Sequence, residues 1–313
     1  MLLLNWSHFW GFARQGWRFA RPHTIIGTSL SVVALWAIAL FTTAHPFTPQ
    51  TLFTLALAWL ACLAGNVYIV GLNQLFDVEI DRINKPHLPL AAGAFTRRQG
   101  QRIVGIAALL ALTLSLGGLW LWLTVAVSMA IGTAYSTPPI RLKRFSFWAA
   151  FCILTVRGVV VNLGLSWHFA QQFGGEVIPV PVWVLTGFIL LFSIAIALFK
   201  DMPDLEGDRH YQIQTLTLTL GKPAVFALCC TLIAFCYGLM IAVGLLAIRG
   251  LDPNIMILGH FALLLALGWR SRRVNLADKG AIARFYQFIW LLFFAEYFLF
   301  PLACWLALPK TWV

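Results

Sequence analysis

Apolar residues run through this chain in blocks too long for the elements of a soluble fold. Runs of roughly 17 to 25 mainly apolar residues, the length a helix needs to cross a bilayer, fall at about 24–43, 52–76, 101–117, 119–137, 147–168, 182–200, 223–248, 253–270 and 284–308. Only Gly117 and Gly118 separate the third run from the fourth, which predicts a tight hairpin freed by glycine's tolerance of unusual φ. The pattern predicts an all-α polytopic membrane protein of nine transmembrane helices around a central cavity. Before the first run, Trp17, Arg18, Phe19 and Arg21 mix aromatic and basic character. That mixture predicts an amphipathic segment over 1–23 lying at the headgroup level, followed by one membrane domain over 24–313.

Composition agrees: 60% of the 313 residues are hydrophobic and 11% charged, with a mean hydropathy of +0.83, far outside the range of soluble domains. The net charge of +11 would suggest nucleic acid in a soluble protein, but here the placement of the cations says more than their sum. With alternate loops assigned to opposite sides, 19 of the 22 Lys and Arg residues fall on one side. This asymmetry predicts a cytoplasmic N-terminus and a bilayer, with no nucleic acid, as partner. The six cysteines all lie in apolar runs without metal-ligand spacing, and read as small buried residues. The start has neither a long Ser- and Arg-rich transit segment nor a small-residue cleavage site, which suits a bacterial protein of plasma or thylakoid membrane, or a processed organelle protein.

The polar residues that remain are concentrated. Asn73, Asp77 and Asp81 are spaced by four at the end of the second run, so a continuous helix carries all three on one face while Glu79 points elsewhere. Like charges so placed repel, and something positive must offset them. Pro86 and Pro89 end that helix, and Ala91-Ala92-Gly93 leads into the basic cluster Arg97, Arg98 and Arg102. The motif returns 127 residues later: Asp77 to Arg82 reads D-V-E-I-D-R and Asp204 to Arg209 reads D-L-E-G-D-R. Each copy follows the second run of a group of four. The chain therefore divides into halves at about 24–145 and 146–270 with a ninth helix at about 284–308. Asp201, Asp204 and Asp208 would share a face if helical, although Pro203 and Gly207 break the regularity. Seven of the eleven acidic residues lie in these two motifs.

Oxygen ligands without a His or Cys cluster suit hard cations, and Mg²⁺ in particular combines a few carboxylates with substrate phosphates. Two facing aspartate clusters would hold two or more Mg²⁺ ions and clamp a diphosphate, with Asp77, Asp81, Asp204 and Asp208 central to the chemistry. The cations nearby, Arg21, Lys85, Arg141, Lys143, Lys200 and Arg209, would complete its neutralisation. A diphosphate head held where an apolar cavity opens to the cytoplasm describes an isoprenoid diphosphate. Tyr68, Tyr135 and Phe199 are candidates to face the allylic cation as it develops.

Arg157 lies near the middle of the fifth run, with Asn162 following. A charge at that depth costs about 2.5–3.5 kcal/mol on insertion scales and must face a partner or a cavity. Glu296 in the ninth run is one candidate partner and a bound ligand the other.

The pattern N-x3-D-x3-D with a second D-x2-D-x3-D half a chain later resembles that of the UbiA-type intramembrane prenyltransferases, over nearly the whole chain. More narrowly, R-P-H-T-I-I-G-T-S-L, N-Q-L-F-D-V-E-I-D-R-I-N-K-P-H-L-P-L-A-A-G, G-T-A-Y-S-T-P-P-I-R-L-K-R, L-T-V-R-G-V-V-V-N-L-G and F-K-D-M-P-D-L-E-G-D-R resemble the homogentisate prenyltransferases, especially phytyl-transferring members. The resemblance implies transfer of a phytyl group from phytyl diphosphate to homogentisate, with loss of CO₂ and diphosphate. It implies metal-ligand roles for Asn73, Asp77, Asp81, Asp201, Asp204 and Asp208. An acceptor carrying a carboxylate also needs a cation, for which Arg157, Arg141 and Lys143 are the candidates. Geranylgeranyl or solanesyl donors, other acceptors such as those of chlorophyll synthases and hydroxybenzoate polyprenyltransferases, and a cation-coupled transporter are the alternative readings.

Overall fold

The computed structural model describes residues 6–202 and 215–308, and among them every regular element is helical. The helices are α1 Trp6–Phe19, α2 Pro22–Thr43, α3 Pro49–Phe76, α4 Val78–Asn84, α5 Arg97–Leu114, α6 Leu119–Ser136, α7 Ser146–Leu154, α8 Val161–Gln172, α9 Val180–Phe199, α10 Leu216–Leu220, α11 Lys222–Leu245, α12 His260–Ser271 and α13 Lys279–Leu306. A π-helical turn, Thr155–Val160, joins α7 to α8, and another, Ile255–Gly259, precedes α12. Eight helical segments are long and apolar enough to cross a membrane. The expected span at 253–270 is a shorter apolar helix, Ile255–Ser271.

Local sequence explains the starts. Thr48 and Thr51 cap α3 reciprocally with Pro49 in its first turn, and Thr96 and Gln99 do the same for α5. Two otherwise orphaned backbone donors are satisfied at each of these ends. In α1, Trp10 and Trp17 are exposed whereas Phe19 is buried, the two-sided character of an interfacial helix. Gln74 Nε2 donates to the Phe19 carbonyl at 2.7 Å and pins the end of α1 to α3.

The α5–α6 hairpin forms as expected, through a 3₁₀ turn at Ser115–Gly117, but for a different reason. Neither glycine has a positive φ. Both are needed because a Cβ at Gly117 would meet Leu57 at 2.3 Å and one at Gly118 would meet the His168 ring at 2.7 Å.

The helices close into a ring. In it, α2 packs on α3, α8 and α13; α3 on α5 and α6; α6 on α8; and α9 on α11 and α13. Because lipid is as apolar as these side chains, close packing selects the faces that meet. Gly164 of α8 lies where a Cβ would sit 2.0 Å from Thr124 of α6, and Gly158 likewise admits Leu190 of α9 at 2.4 Å. Small residues on and after the π-helical turn thus let α6 and α9 approach it closely, beside the cavity.

Candidate active site

A cavity of about 330 Å³ lies between α2, α3, α6, the α7–α8 helix and α13. Arg21, Asn73 and Tyr135 line one end; Ser31, Cys62 and Thr124 lie towards the other. From Asn73 back to Cys62 along α3 is about 16 Å at 1.5 Å per residue. One end is therefore polar and the shaft mostly apolar.

The first acidic motif stands at the polar end, but not on one continuous helix. The α3 ladder stops at Phe76, and Asp77 (φ −115°, ψ 13°) is a one-residue joint before α4. Its N–H turns back to the Gln74 carbonyl at 3.3 Å, and its carbonyl accepts from the Asp81 N–H at 2.7 Å. The joint takes Asp77 off the common face that Asn73 and Asp81 would share with it on a straight helix, towards the loop after α6. There Arg141 Nη2 donates to Oδ1 at 3.0 Å and Lys143 Nζ to Oδ2 at 2.5 Å. Arg141 reaches it from a left-handed backbone, φ 37°, a conformation that strains a non-glycine residue. Burial pushes the Lys143 ammonium below the ordinary lysine range, although Asp77 acts against that shift. Such bridges are charge-assisted and strong.

Asp81 is different. It is 5% exposed, and its Oδ2 has no hydrogen-bond donor among the described residues. Burial pushes its carboxyl above the usual carboxylate range, while Arg21 and Lys85 pull it down. Arg21 Nη2 also donates to Asn73 Oδ1 at 3.4 Å, and Asn73 Nδ2 to Ser136 Oγ at 3.5 Å, both long bonds. Asp81 thus offers a buried, unsatisfied carboxylate oxygen, which fits a hard divalent cation, whereas both oxygens of Asp77 are taken by Arg141 and Lys143. Among the described residues no group of three or more His, Cys, Asp and Glu is arranged to hold a metal. Lys200 and Asp201, both half-buried at the end of α9, belong to the second motif. Asp204, Asp208 and Arg209 lie outside the described residues.

Arg157 sits on the π-helical turn and lines the shaft. Glu296 is not its partner: Glu296 Oε2 is bonded to His260 Nε2 at 3.0 Å, and both residues are fully buried away from the cavity. Instead the Arg157 guanidinium lies 4.8 Å from the Trp290 ring centre and 5.5 Å from that of Phe293, with Nη1 lacking any donor-to-acceptor partner among the described residues. Aromatic faces stabilise a cation by roughly 0.5–2 kcal/mol, less than the cost of its depth. A bound anion would supply the rest.

Two other expectations are corrected. Asn162 does not reach the cavity; it is fully buried, and its Nδ2 donates to the Gly158 carbonyl at 3.0 Å, closing the π-helical turn. Phe199 packs in the core, stacked on Tyr286 with ring centres 5.7 Å apart. The Tyr68 hydroxyl is taken up by Thr133 at 2.7 Å. Of the three aromatic candidates Tyr135 lines the cavity. The lining also includes His23, Trp290 and Tyr297, which the sequence reading did not assign. His23 had a signal in its place beside Arg21 and Pro22 at the head of the first run. The α13 aromatics had none, since phenylalanine, tyrosine and tryptophan make up 14% of the chain.

Known proteins with this pattern agree. Homogentisate phytyltransferase of Synechocystis sp. is 56% identical over 293 residues, covering 93% of this chain and 95% of that protein. Homogentisate phytyltransferase 1 of Arabidopsis thaliana is 40% identical, covering 91% and 74%. The fold is that of a UbiA homologue from Archaeoglobus fulgidus bound to GPP and Mg²⁺, with a TM-score of 0.61 at 18% identity over 91% of this chain and 98% of that one. Residues 30–292 match the model of the UbiA prenyltransferase family. With its helical ring, its carboxylates at the polar end of an apolar shaft and this match over most of its length, the chain belongs to the UbiA prenyltransferase family.

Proposed function

We propose that this enzyme transfers a phytyl group from phytyl diphosphate to homogentisate, releasing CO₂ and diphosphate and forming 2-methyl-6-phytylbenzoquinol, the precursor of tocopherols. The observation that carries the reading is the cavity itself: a polar end beside the Asp77–Asp81 motif, an apolar shaft, and within it a guanidinium whose Nη1 has no acceptor among the described residues. The relative of 56% identity supports this donor and acceptor.

The eight membrane-length helices and the shorter Ile255–Ser271 would form one domain in the bilayer, with the polar end of the cavity on the cytoplasmic side, a reading that the one-sided distribution of Lys and Arg supports. Asn73, Asp77 and Asp81 would hold Mg²⁺ from one half of the chain, and Asp201, Asp204 and Asp208 from the other. The Mg²⁺ bound to the Archaeoglobus homologue supports a divalent metal in this fold. When bound, the metal neutralises diphosphate oxygens as negative charge develops on the leaving group.

Arg21, Lys85, Arg141, Lys143 and Lys200 would supply positive charge to that group, and Arg209 is the further candidate from the second motif. Arg141 and Lys143 are held by Asp77 before substrate arrives, so they are preorganised and need no search for position. The allylic C–O bond breaks with its electron pair going to the diphosphate. Tyr135, beside Lys143 at the polar end, faces the resulting carbocation. Arg157 takes the acceptor's carboxylate and sets its ring against Trp290 and Phe293. The shaft excludes the water that would otherwise capture the cation.

Membranes expressing the chain, supplied with Mg²⁺, labelled homogentisate and a panel of phytyl, geranylgeranyl and solanesyl diphosphates, should yield one dominant product, of the mass expected for phytyl transfer. A dominant geranylgeranyl product would reassign the donor. No product with any donor would remove the acceptor assignment.

A further inference from the structure

The proton balance of this reaction leaves a task that neither the metal site nor the arginines can perform. Alkylation of the ring removes a proton from the carbon attacked. Loss of CO₂ from the side chain leaves an electron pair on the methylene carbon, in conjugation with the ring oxygens, and that carbon must gain a proton to become methyl. One proton leaves and one arrives, on the same molecule, inside a shaft built to exclude water.

Among the described residues that line the cavity there is no carboxylate. The titratable side chains are Arg21, His23, Cys62, Tyr135, Cys152, Arg157 and Tyr297. Arginine does not release its proton in proteins, and thiols and phenols are weak acids. Imidazole alone in this set offers a nitrogen lone pair that takes a proton and, once protonated, an N–H that gives it back. The placement of His23 suits the task. Its ring centre is 5.2 Å from that of Trp290, the indole on which the Arg157 guanidinium lies at 4.8 Å. His23 and Arg157 thus flank the same indole, so an acceptor whose carboxylate meets Arg157 would share this part of the cavity with His23. Neither ring nitrogen of His23 is engaged in a hydrogen bond among the described residues, whereas the buried His260 is bonded through both of its nitrogens. The former is placed as a reagent, the latter as structure.

We propose that His23 is the proton shuttle of the decarboxylating transfer: a ring nitrogen takes the proton from the alkylated carbon, and the imidazolium returns it to the methylene carbon as the bond to CO₂ breaks. The balance closes within the active site. The C–C bond to the prenyl group forms as the C–O bond to diphosphate breaks, and no net proton, oxidant or reductant enters. This role rests on homogentisate being the acceptor, and the experiment separates the two.

Homogentisate deuterated on its ring carbons is supplied with phytyl diphosphate and Mg²⁺ in ordinary water, and hydrogen isotopes in the product methyl group are located by NMR and mass. The wild-type enzyme should carry ring deuterium into the methyl group. His23→Gln should bind homogentisate with unchanged affinity, turn over about 10²- to 10⁴-fold more slowly and draw the methyl hydrogen from solvent. A wild-type methyl group containing solvent hydrogen only, or a His23→Gln enzyme with wild-type turnover, would overturn the shuttle even if the variant folds poorly, because the first result needs no variant. Absence of any product from the wild type would instead overturn the acceptor assignment and the shuttle with it.

Discussion

Two arginines, one in the loop after α6 and one in the shaft of the cavity, are held in opposite ways. Arg141, at the polar end, donates to Asp77 at 3.0 Å, and Lys143 holds the other oxygen of the same carboxylate. Arg157, in the shaft, has aromatic faces and an Nη1 without an acceptor among the described residues. A balanced cation in the resting site is one that exchanges partners when a more highly charged anion arrives. An unbalanced one, kept at depth at a cost of a few kcal/mol, is complete only when its ligand brings the missing charge. On the proposed function, the donor's diphosphate would meet the first kind and the acceptor's single carboxylate the second.

The largest effect should come from breaking the balanced side. Asp77→Asn leaves Arg141 and Lys143 facing a neutral amide and takes a carboxylate from the metal set. Phytyl transfer should fall by at least about 10²- to 10³-fold while the protein still inserts in membranes. Removing divalent metal with a chelator should abolish transfer in the unmodified enzyme, with Mg²⁺ restoring it. Arg141→Ala should act next most strongly: a lost charge-assisted hydrogen bond is worth about 1.5–3 kcal/mol, which is about a 10- to 100-fold rise in KM for the donor. The KM for homogentisate should not change, and a shift in both would erase the division of labour between the two arginines.

Much of this arrangement was legible in the sequence, and the rest was hidden for definite reasons. Helices that are apolar all round announce their length plainly, and the first D-x-E-x-D-R copy marks the polar end of the cavity. Yet such helices have no polar face to show which side meets a neighbour. That is why Glu296 looked a fitting partner for Arg157 when His260 already holds it, and why Phe199, next to Lys200, looked like a site aromatic when it packs on Tyr286. The joint at Asp77 and the π-helical turn under Arg157 are short departures from ideal helix geometry that lie against the loop after α6 and against Leu190. No periodicity reports them.

Smaller effects sharpen the same contrast. Asn162→Ala removes the side-chain bond to the Gly158 carbonyl but nothing that lines the cavity. It should lower stability by roughly 1 kcal/mol, seen as a drop in Tm, with both KM values unchanged. Glu79→Gln should change least. Glu79 forms an exposed pair with Arg82 on the solvent side of the same motif, and such pairs contribute about 0–1 kcal/mol. Its transfer rate should match the wild type, which would separate the aspartates of D-x-E-x-D from the glutamate between them.

The central claim is that the unbalanced guanidinium in the shaft receives the acceptor's carboxylate. The measurement that tests it most directly is the affinity of purified enzyme, with and without Arg157→Gln, for homogentisate and for methylhydroquinone, which lacks the carboxylate. The wild type should prefer homogentisate by about 10- to 100-fold, the value of one charge-assisted contact of about 1.5–3 kcal/mol, and the variant should bind the two alike. An Arg157→Gln enzyme that kept the full preference would show that the carboxylate is held elsewhere.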